Sequence, residues 1–231
     1  MLLQILTYTH RLTTMLFGIF LSAFFLGVKQ NKKNVCILLG GGAVSGLFFL
    51  ICNTVFGSLF TEAVYPIFVH LPLFLLLVFY YRFRWLPSII SIMTAYLCCQ
   101  FSNWAGIFAL SLSGLDWVYY LVRIIVTVAV FAFLSRYLCQ TTALLLAKSN
   151  RELYILGAMP FVYYVFDYST TKFSMLLYSG NKVVVEFLAF AMCISYVIFL
   201  FVYFQEYELK NRAEQYGQLT NMHLNSLRKP R

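Results

Sequence analysis

Charged side chains are scarce in this chain: Asp, Glu, Lys and Arg make up 11 % of its residues, and hydrophobic residues make up 61 %. Soluble globular domains have about 25 % charged and about 45–50 % apolar residues. The scarcity of charge therefore indicates an integral membrane protein with the lipid bilayer as its main partner. The formal net charge of +9 does not indicate nucleic acid, because the basic residues lie in short loops between apolar runs.

Sequence motifs of catalysis and metal binding are also missing. There is no Gly-x-Ser-x-Gly, no His-Glu-x-x-His, no convincing Ser/His/Asp set and no acidic pair suited to an aspartyl protease. None of the six cysteines forms a CxxC pair, and most lie in apolar runs, where a free cysteine behaves as a small hydrophobe. The sequence therefore predicts no catalytic residue, no metal site and no cofactor, and we do not expect this chain to be an enzyme.

Long apolar runs dominate what is present. A helix needs about 20 mostly apolar residues to cross a bilayer, and continuous rather than alternating runs predict helices. The N-terminus lacks the basic segment and the cleavage site of a signal peptide, so its apolar run is interpreted as a retained span. We predict an all-α bundle of seven transmembrane helices within a sensor domain of residues 1–204. The predicted spans are residues 6–28, 35–54, 64–81, 86–110, 117–138, 153–168 and 183–204.

Lys and Arg are distributed unevenly between the two sides of these spans. Thirteen of them lie in alternate loops and in the C-terminal tail, three lie on the other side, and Arg123 lies inside the fifth span. Positively charged loops favour the cytoplasmic side of a membrane. The pattern predicts a multi-pass protein of the cell membrane with an extracellular N-terminus and a cytoplasmic C-terminus.

A group of polar residues lies inside the predicted spans or near their extracellular ends. An ionised group in lipid is costly unless it is paired or hydrated. Two interpretations stay open. In the first, the residues line an outward-facing ligand pocket, and Arg123 contacts an anion or carboxylate. In the second, each side chain either reaches the lipid headgroups or forms an ion pair, such as Arg123 with Asp167 or Glu186. The candidate ligand-binding residues are Arg123, Asp167, Glu186, Glu62, Gln100 and Asn103.

Two further features of the spans have packing as their simplest explanation. Gly42 and Gly46 stand at GxxxG spacing in the second span, and small residues let helix backbones approach closely. This face packs either within one bundle or against a second copy. His70 lies midway along the third span and is interpreted either as a hydrogen-bonded packing residue or as a ligand.

The C-terminal segment, residues 205–231, is polar and rich in helix-forming residues. It predicts a cytoplasmic signalling helix that continues the seventh span. A weakly apolar stripe follows it in alternating steps of four and three residues, as the a and d positions of a dimeric coiled coil do. The alternative is a solvated helix or one that lies along the membrane. The stripe consists of Leu209, Ala213, Tyr216, Thr220, His223 and Leu227.

A seven-span bundle followed by "EYELKNRAEQYGQLTNMHLNSLRK" resembles the sensor half of bacterial histidine kinases of the GHKL class, and in architecture their accessory-gene-regulator-like members. The resemblance implies a sensor module of a two-component system that detects an extracellular peptide or small molecule. It also implies a homodimer, or assembly with a full-length kinase relative. His223 lacks the neighbouring Arg and Asp expected of a phosphoacceptor, and no ATP-binding motif is present. We therefore expect a chain truncated before the kinase domains.

A small integral membrane transporter, or a substrate-binding membrane subunit of one, is the alternative function. The polar residues would then form a capture or permeation site. A membrane scaffold without a ligand is a third interpretation. The odd number of spans and the lack of an evident internal repeat favour the sensor over the transporter.

Overall fold

A computed structural model describes residues 2–57, 60–61, 64–173 and 182–228. Within these ranges the regular structure is helical, and they contain no strand. The chain divides into two compact units, Met1–Ile194 and Ser195–Arg231, and the boundary falls inside the last helix. The elements are α1 (Leu2–Phe25), α2 (Lys32–Phe56), α3 (Tyr65–Leu75) with a π-helical turn (Leu76–Tyr80), α4 (Trp85–Cys98), α5 (Gln100–Ser113), α6 (Asp116–Tyr137), α7 (Cys139–Leu146), α8 (Asn150–Phe173) and α9 (Lys182–Arg228).

Four helical segments among the described residues are long and apolar enough to cross a membrane. A shorter apolar segment, Pro66–Tyr80, accompanies them. The prediction of a helical protein with apolar membrane-spanning helices is confirmed at this level, and the count of seven crossings stays a prediction. The four segments are Lys32–Phe56, Trp85–Ser113, Asp116–Tyr137 and Phe187–Thr220.

Apolar side chains cover much of the outer surface of the first unit. Val44, Phe79 and Leu112 are 69 %, 73 % and 74 % exposed, and Ile125 and Val55 are 58 % and 67 % exposed. Such residues on four different helical segments would form an extensive apolar surface in water, which soluble monomers avoid. In a bilayer the same surface contacts acyl chains, so the exposure agrees with the apolar composition.

Helix α1 lies at the centre of the first unit. It packs against α2, α4, α6 and α7. Leu21, Ala23 and Phe25 in its C-terminal half are fully buried. The buried hydroxyl of Ser91 on α4 donates a hydrogen bond to the carbonyl oxygen of Ser22, which ties α4 to α1. A polar bond between buried helices of this kind supplements van der Waals packing, which drives helix association in lipid.

The glycine face of α2 is used within the chain. A Cβ atom added to Gly42 would lie 3.0 Å from Cδ1 of Ile19, and one on Gly46 would lie 3.5 Å from Cε of Met15. Both partners belong to α1. The structure therefore places the GxxxG face against a neighbouring helix of the same bundle.

Two predicted spans are less regular than expected. The fourth, residues 86–110, is interrupted at Cys99 between α4 and α5. The third ends in the π-helical turn Leu76–Tyr80, which follows Pro72 inside α3. Proline lacks the amide hydrogen that a regular helix requires, and π-helical turns are a common way to adjust the backbone near such a site.

One connecting segment also differs from the expectation. The predicted loop after the fifth span contains the short helix α7. A helix inside a connecting segment leaves no Gly or Pro signal, so it could not be found from the sequence.

Helix α9 runs without interruption from Lys182 to Arg228, as expected of a C-terminal helix that continues the seventh span. The predicted division at residue 204 between membrane domain and tail stays a prediction.

Candidate functional site

A cavity of about 280 Å³ lies inside the first unit. Residues from α1, α3, α4, α5, α6 and α8 form its walls, so most of the bundle contributes to it. One part of the lining is aliphatic, with Ile19, Val69, Leu73 and Ile92. The rest carries amide, hydroxyl, imidazole, guanidinium and carboxylate groups, which is unusual for the interior of a membrane protein unless the residues serve a ligand or pathway.

The interruption at Cys99 shapes one wall of this cavity. The carbonyl oxygen of Cys99 accepts a hydrogen bond from the Ser102 hydroxyl at 2.9 Å and one from the backbone amide nitrogen of Asn103 at 3.2 Å. Gln100, at the first position of α5, is 6 % exposed and lines the cavity together with Asn103. The side-chain amide nitrogen of Asn103 donates to Oε1 of Gln100 at 3.3 Å. The break thus starts a new helix with two amide side chains directed to the cavity wall.

Arg123 brings a positive charge to the cavity from α6. The aliphatic part of the Arg123 side chain lies directly over Gly106 of α5. A Cβ atom added to Gly106 would lie 2.8 Å from Cδ of Arg123 and even closer to its Cγ. Its Nη1 donates to the hydroxyl of Tyr119, and its guanidinium carbon lies 5.1 Å from the centre of that ring. Nε of Arg123 is buried and has no hydrogen-bond partner among the described residues. Glycine at position 106 gives the space that lets this side chain reach the cavity.

Asp167 brings a negative charge to the same cavity from α8. Its Oδ2 accepts a hydrogen bond from the hydroxyl of Tyr96 on α4. The Tyr96 ring also lies edge-on to His70 of α3, with centroids 5.7 Å apart. His70 is hydrogen-bonded through Nδ1 to the Tyr164 hydroxyl at 2.8 Å. These contacts hold α3, α4 and α8 together around one side of the cavity.

Arg123 and Asp167 bring opposite charges to the same cavity. The salt bridges that the structure shows between described side chains are Lys148 with Glu152 and Arg212 with Glu208, both at a spacing of four residues along a helix. The suggested pairing of Arg123 with Asp167 stays a prediction. The other suggested partner, Glu186, lies on α9 with its side chain outside the described part.

The structure brings four of the six candidate ligand-binding residues to one cavity: Arg123, Asp167, Gln100 and Asn103. Glu62 lies outside the described residues. His70, for which packing and ligand roles were both open, lines the cavity and is also hydrogen-bonded. That these residues bind a ligand stays a prediction.

Tyr96 and Tyr164 were missed by the sequence analysis. The chain has 17 tyrosines, many near the ends of spans, where tyrosine is common in any membrane protein. Nothing in the sequence separates these two from the others. Only the fold brings Tyr96 to Asp167 and Tyr164 to His70.

A second cavity of about 400 Å³ adjoins the first, with Thr14, Met15 and Val69 in the lining of both. His10 and Arg11 of α1 line the second cavity only. The remaining lining is mostly apolar, so the polar groups that could select a ligand are concentrated in the first cavity.

An aromatic cluster connects the cavity wall to α9 within the first unit. The Trp104 indole of α5 stacks on the Phe190 ring of α9, with centroids 4.4 Å apart and planes 13° apart. Phe101 meets the same Phe190 edge-on at 5.7 Å, and Phe187 lies 6.1 Å from Trp104. The helix that carries Gln100 and Asn103 therefore packs directly on the start of α9.

The stripe predicted on the C-terminal segment lies on α9 in the second unit. Leu209 and Tyr216 are 67 % and 71 % exposed, and Ala213 and Thr220 are exposed as well. The other two members, His223 and Leu227, lie on the helix, but their side chains are outside the described part. The single chain therefore leaves the described part of the stripe open to solvent or to a partner.

Within the part of the chain that the structure describes, no group of three or more His, Cys, Asp or Glu residues could hold a metal ion. Comparison with protein-family models, with curated proteins and with solved structures gave no match. The function is therefore argued from the cavity and from α9 alone.

Proposed function

We propose that this chain is a membrane-embedded sensor module that binds a ligand in the cavity of its helix bundle and reports occupancy through α9, as in two-component systems of the histidine-kinase type. The observation that carries the proposal is the stacking of Trp104 on Phe190, because Trp104 belongs to the helix that forms the cavity wall. A change in the position of α5 would act directly on α9. Two arrangements of packed helices with different ligand affinity are sufficient for signalling.

The proposal includes a multi-pass protein with seven crossings, an extracellular N-terminus and a cytoplasmic C-terminus. Helix α1 supports the higher count, because it packs against α2, α4 and α6, which belong to apolar segments of membrane-spanning length. Helix α8 supports it in the same way through its packing on α4. The excess of Lys and Arg in alternate loops supports the orientation.

A homodimer, or a pair with a full-length kinase relative, follows from the stripe on α9. Leu209 and Tyr216 at stripe positions are strongly exposed, and Leu219 and Met222 beside them are 59 % and 60 % exposed. On a polar helix such residues gain free energy when a second helix covers them. Glu208 and Arg212 form an ion pair at 3.4 Å at the edge of this surface, where coiled coils place charged residues.

Site-specific disulfide crosslinking in native membranes tests this function. Exposed Cys36 is first replaced by Ser. Single variants Tyr216→Cys and Thr220→Cys are then compared with Gln218→Cys, which lies on the opposite face of the helix. We expect covalent dimers from the two stripe variants and little from the control. Equal crosslinking at all three positions, or none at any, contradicts a signalling dimer.

The transporter stays the second candidate, and the two adjoining cavities favour it. They share Thr14, Met15 and Val69, so together they would form a longer polar-to-apolar path through the bundle. Uptake of radiolabelled amino acids, sugars and organic acids into proteoliposomes separates the two functions. If a radiolabelled compound accumulates above the level in protein-free vesicles, and no register-specific dimers form, the transporter becomes the favoured function.

A further inference from the structure

We propose that the two adjoining cavities together bind one amphiphile, a molecule with a single aliphatic chain and a small hydrogen-bonding head. The head lies in the first cavity, the chain lies in the second, and the molecule enters laterally from the bilayer. A fatty acid is the simplest member of this class. This ligand class rests on the proposed function and specifies the ligand of that site.

The first cavity supplies the contacts for the head. Gln100, Asn103 and Arg123 line it, together with side chains that carry hydroxyl and imidazole groups. Amide and guanidinium groups each have several hydrogen-bonding positions, so they can keep their bonds within the protein and still bind a head group. The Asn103 amide, for example, already donates to Oε1 of Gln100 at 3.3 Å. The head therefore joins an existing polar network, and no side chain needs to be without a partner.

The second cavity supplies the space for the chain. Its lining is mostly apolar and includes Leu12, Met15, Phe49 and Leu50. Acyl chains of lipids are as apolar as these side chains, so a chain that moves from the bilayer into the cavity gains little free energy. The hydrogen bonds of the head therefore decide which molecule is selected, and the chain decides whether it fits.

The two cavities are connected and have a suitable combined size. Thr14, Met15 and Val69 belong to the lining of both. The volumes are about 280 Å³ and about 400 Å³. Ligand pockets range over about 300–1,000 Å³, so the pair falls within the range, whereas the first cavity alone is at its lower end. This size suits a single-chain molecule better than a phospholipid, which has two chains and a larger head.

The second cavity opens at the outer surface of the bundle. Tyr8, Leu12 and Leu50 line it, and they are 68 %, 53 % and 55 % exposed. Side chains that line a cavity and are also more than half exposed lie at its mouth. Leu50 belongs to α2, an apolar segment long enough to cross a membrane, and the other two belong to α1. Because the mouth lies between two helices, a molecule dissolved in the bilayer can reach it laterally.

Photocrosslinking tests the proposal on the full chain in lipid nanodiscs. The probe is palmitic acid with a diazirine near the end of its chain, and mass spectrometry of peptides locates the attachment. We expect attachment to second-cavity residues such as Met15 and Phe49, which excess unlabelled palmitic acid suppresses at least tenfold. Attachment to Val44 and Val55, which are 69 % and 67 % exposed and contact bulk lipid, should hardly change. Equal suppression at both groups, or attachment to Asn103 of the first cavity instead, overturns the proposal.

Two competitors separate the roles of the head and the chain. Hexadecane has the chain without the head, and propionate has the head without the chain. We expect each to suppress the attachment at least tenfold more weakly than palmitic acid does. Hexadecane forms no hydrogen bond in the first cavity, and propionate leaves the second cavity unfilled. Competition by either compound at the level of palmitic acid contradicts a site with two parts.

Three glycines allow the same substitution in each cavity and outside both. Gly18 lines the first cavity and Gly46 the second, whereas Gly40 belongs to neither lining. A Cβ atom has nothing within 4 Å at Gly18 or Gly40, and at Gly46 it lies 3.5 Å from Cε of Met15. Gly18→Leu and Gly46→Leu fill cavity space, so each should lower the saturable attachment at least tenfold. Gly40→Leu should keep the wild-type level.

A melting temperature shows whether each variant is folded. If a leucine variant does not fold, Gly18→Ala or Gly46→Ala takes its place, and a smaller decrease of the saturable attachment is expected. Wild-type attachment in folded variants of both cavities overturns the proposal.

The outcomes also separate this ligand from the proposed function. If the wild-type chain shows no saturable attachment, the amphiphile is excluded. Register-specific crosslinking of the C-terminal helix would still support a sensor with another ligand. If the attachment is saturable but the crosslinking is unspecific, the ligand class stands and the signalling role does not.

Discussion

Trp104 of α5 and Phe190 of α9 lie face to face, with ring centroids 4.4 Å apart and an angle of 13° between the planes. Phe108 stacks on Trp104 as well, at 5.3 Å, but belongs to the same helix. Of these two stacked contacts, only the one with Phe190 therefore links two helices. This geometry makes Trp104 the most direct connection between the cavity wall and the start of α9.

The first prediction concerns this stack. In a double-mutant cycle of Trp104→Ala and Phe190→Ala, we expect a coupling free energy of about 0.5–1.5 kcal/mol, as for other aromatic pairs. The measurement is reversible unfolding in mixed micelles. The cycle of Phe108→Ala with Phe190→Ala is the control and should give a coupling near zero. Comparable coupling in the two cycles would contradict the role assigned to Trp104.

The second prediction concerns the space beneath Arg123. In Gly106→Ala the new methyl group would lie 2.8 Å from Cδ of Arg123 and 3.2 Å from Cδ2 of Tyr119, so the guanidinium must move. We expect this variant to lower the free energy of unfolding by about 1–3 kcal/mol, the usual range for overpacking. Gly40→Ala has open space around its Cβ and serves as the control. Wild-type stability in Gly106→Ala would contradict the close packing of the Arg123 side chain on Gly106.

The third prediction concerns the contact between α4 and α8. A Cβ atom on Gly157 would lie 2.7 Å from Cγ1 and 2.8 Å from Cδ1 of Ile90, which is 4 % exposed. Gly157→Ala should lower the free energy of unfolding by about 1–3 kcal/mol, the usual range for overpacking. The added substitution Ile90→Val or Ile90→Ala should recover part of the loss. If the double variant loses more free energy of unfolding than the two single variants lose together, this explanation is contradicted.

The fourth prediction is a pH dependence at the start of α8. Burial alone would raise the pKa of Glu152, but hydrogen bonds from Ser149 and the charge of Lys148 together lower the pKa below its usual value. The Ser149 hydroxyl donates to Oε2 of Glu152 at 3.0 Å, and its amide nitrogen does so at 3.3 Å. This Ser-x-x-Glu contact stabilises the first turn of the helix.

A group whose pKa is lower in the folded state contributes stability above its unfolded pKa and loses it as the pH falls through the folded pKa. The unfolded pKa of Glu is about 4.3. The melting temperature of the wild type should therefore exceed that of Glu152→Gln at pH 7, and the difference should shrink below about pH 4. Glu208→Gln on α9 is the control, because no serine three residues before Glu208 donates hydrogen bonds to its carboxylate as Ser149 does to Glu152. A difference that grows on acidification would have the wrong sign.

The sequence predicted the cavity residues that stand out by chemical type. A charge inside an apolar run is visible without a structure. Exposing Arg123 or Asp167 to lipid would cost free energy, which agrees with the position of both side chains at a cavity inside the bundle. Gln100 and Asn103 were found for the same reason. Tyr96 and Tyr164 meet Asp167 and His70 only through contacts between helices distant in sequence, so no pattern in their own segments marks them.

Backbone irregularities were harder to predict than the helices themselves. Apolar length gives the approximate spans, and α2 and α6 agree closely with the predicted second and fifth spans. The break at Cys99 involves neither Pro nor Gly, so local sequence contains no signal for it. The change from apolar to polar surface along α9 was visible, and the helix-forming residues of the polar part predicted the uninterrupted backbone that the structure has.

The interruption at Cys99 has a mechanical consequence. Helix α4 is held by α1 and α8, whereas α5 is held mainly by α6 and by the contact of Trp104 with Phe190. Cys99 departs from the regular hydrogen-bond ladder, since its amide nitrogen is bonded to the carbonyl oxygen of Tyr96 three residues before it. A tilt of α5 against α4 at this residue would move the cavity wall that Gln100 and Asn103 form.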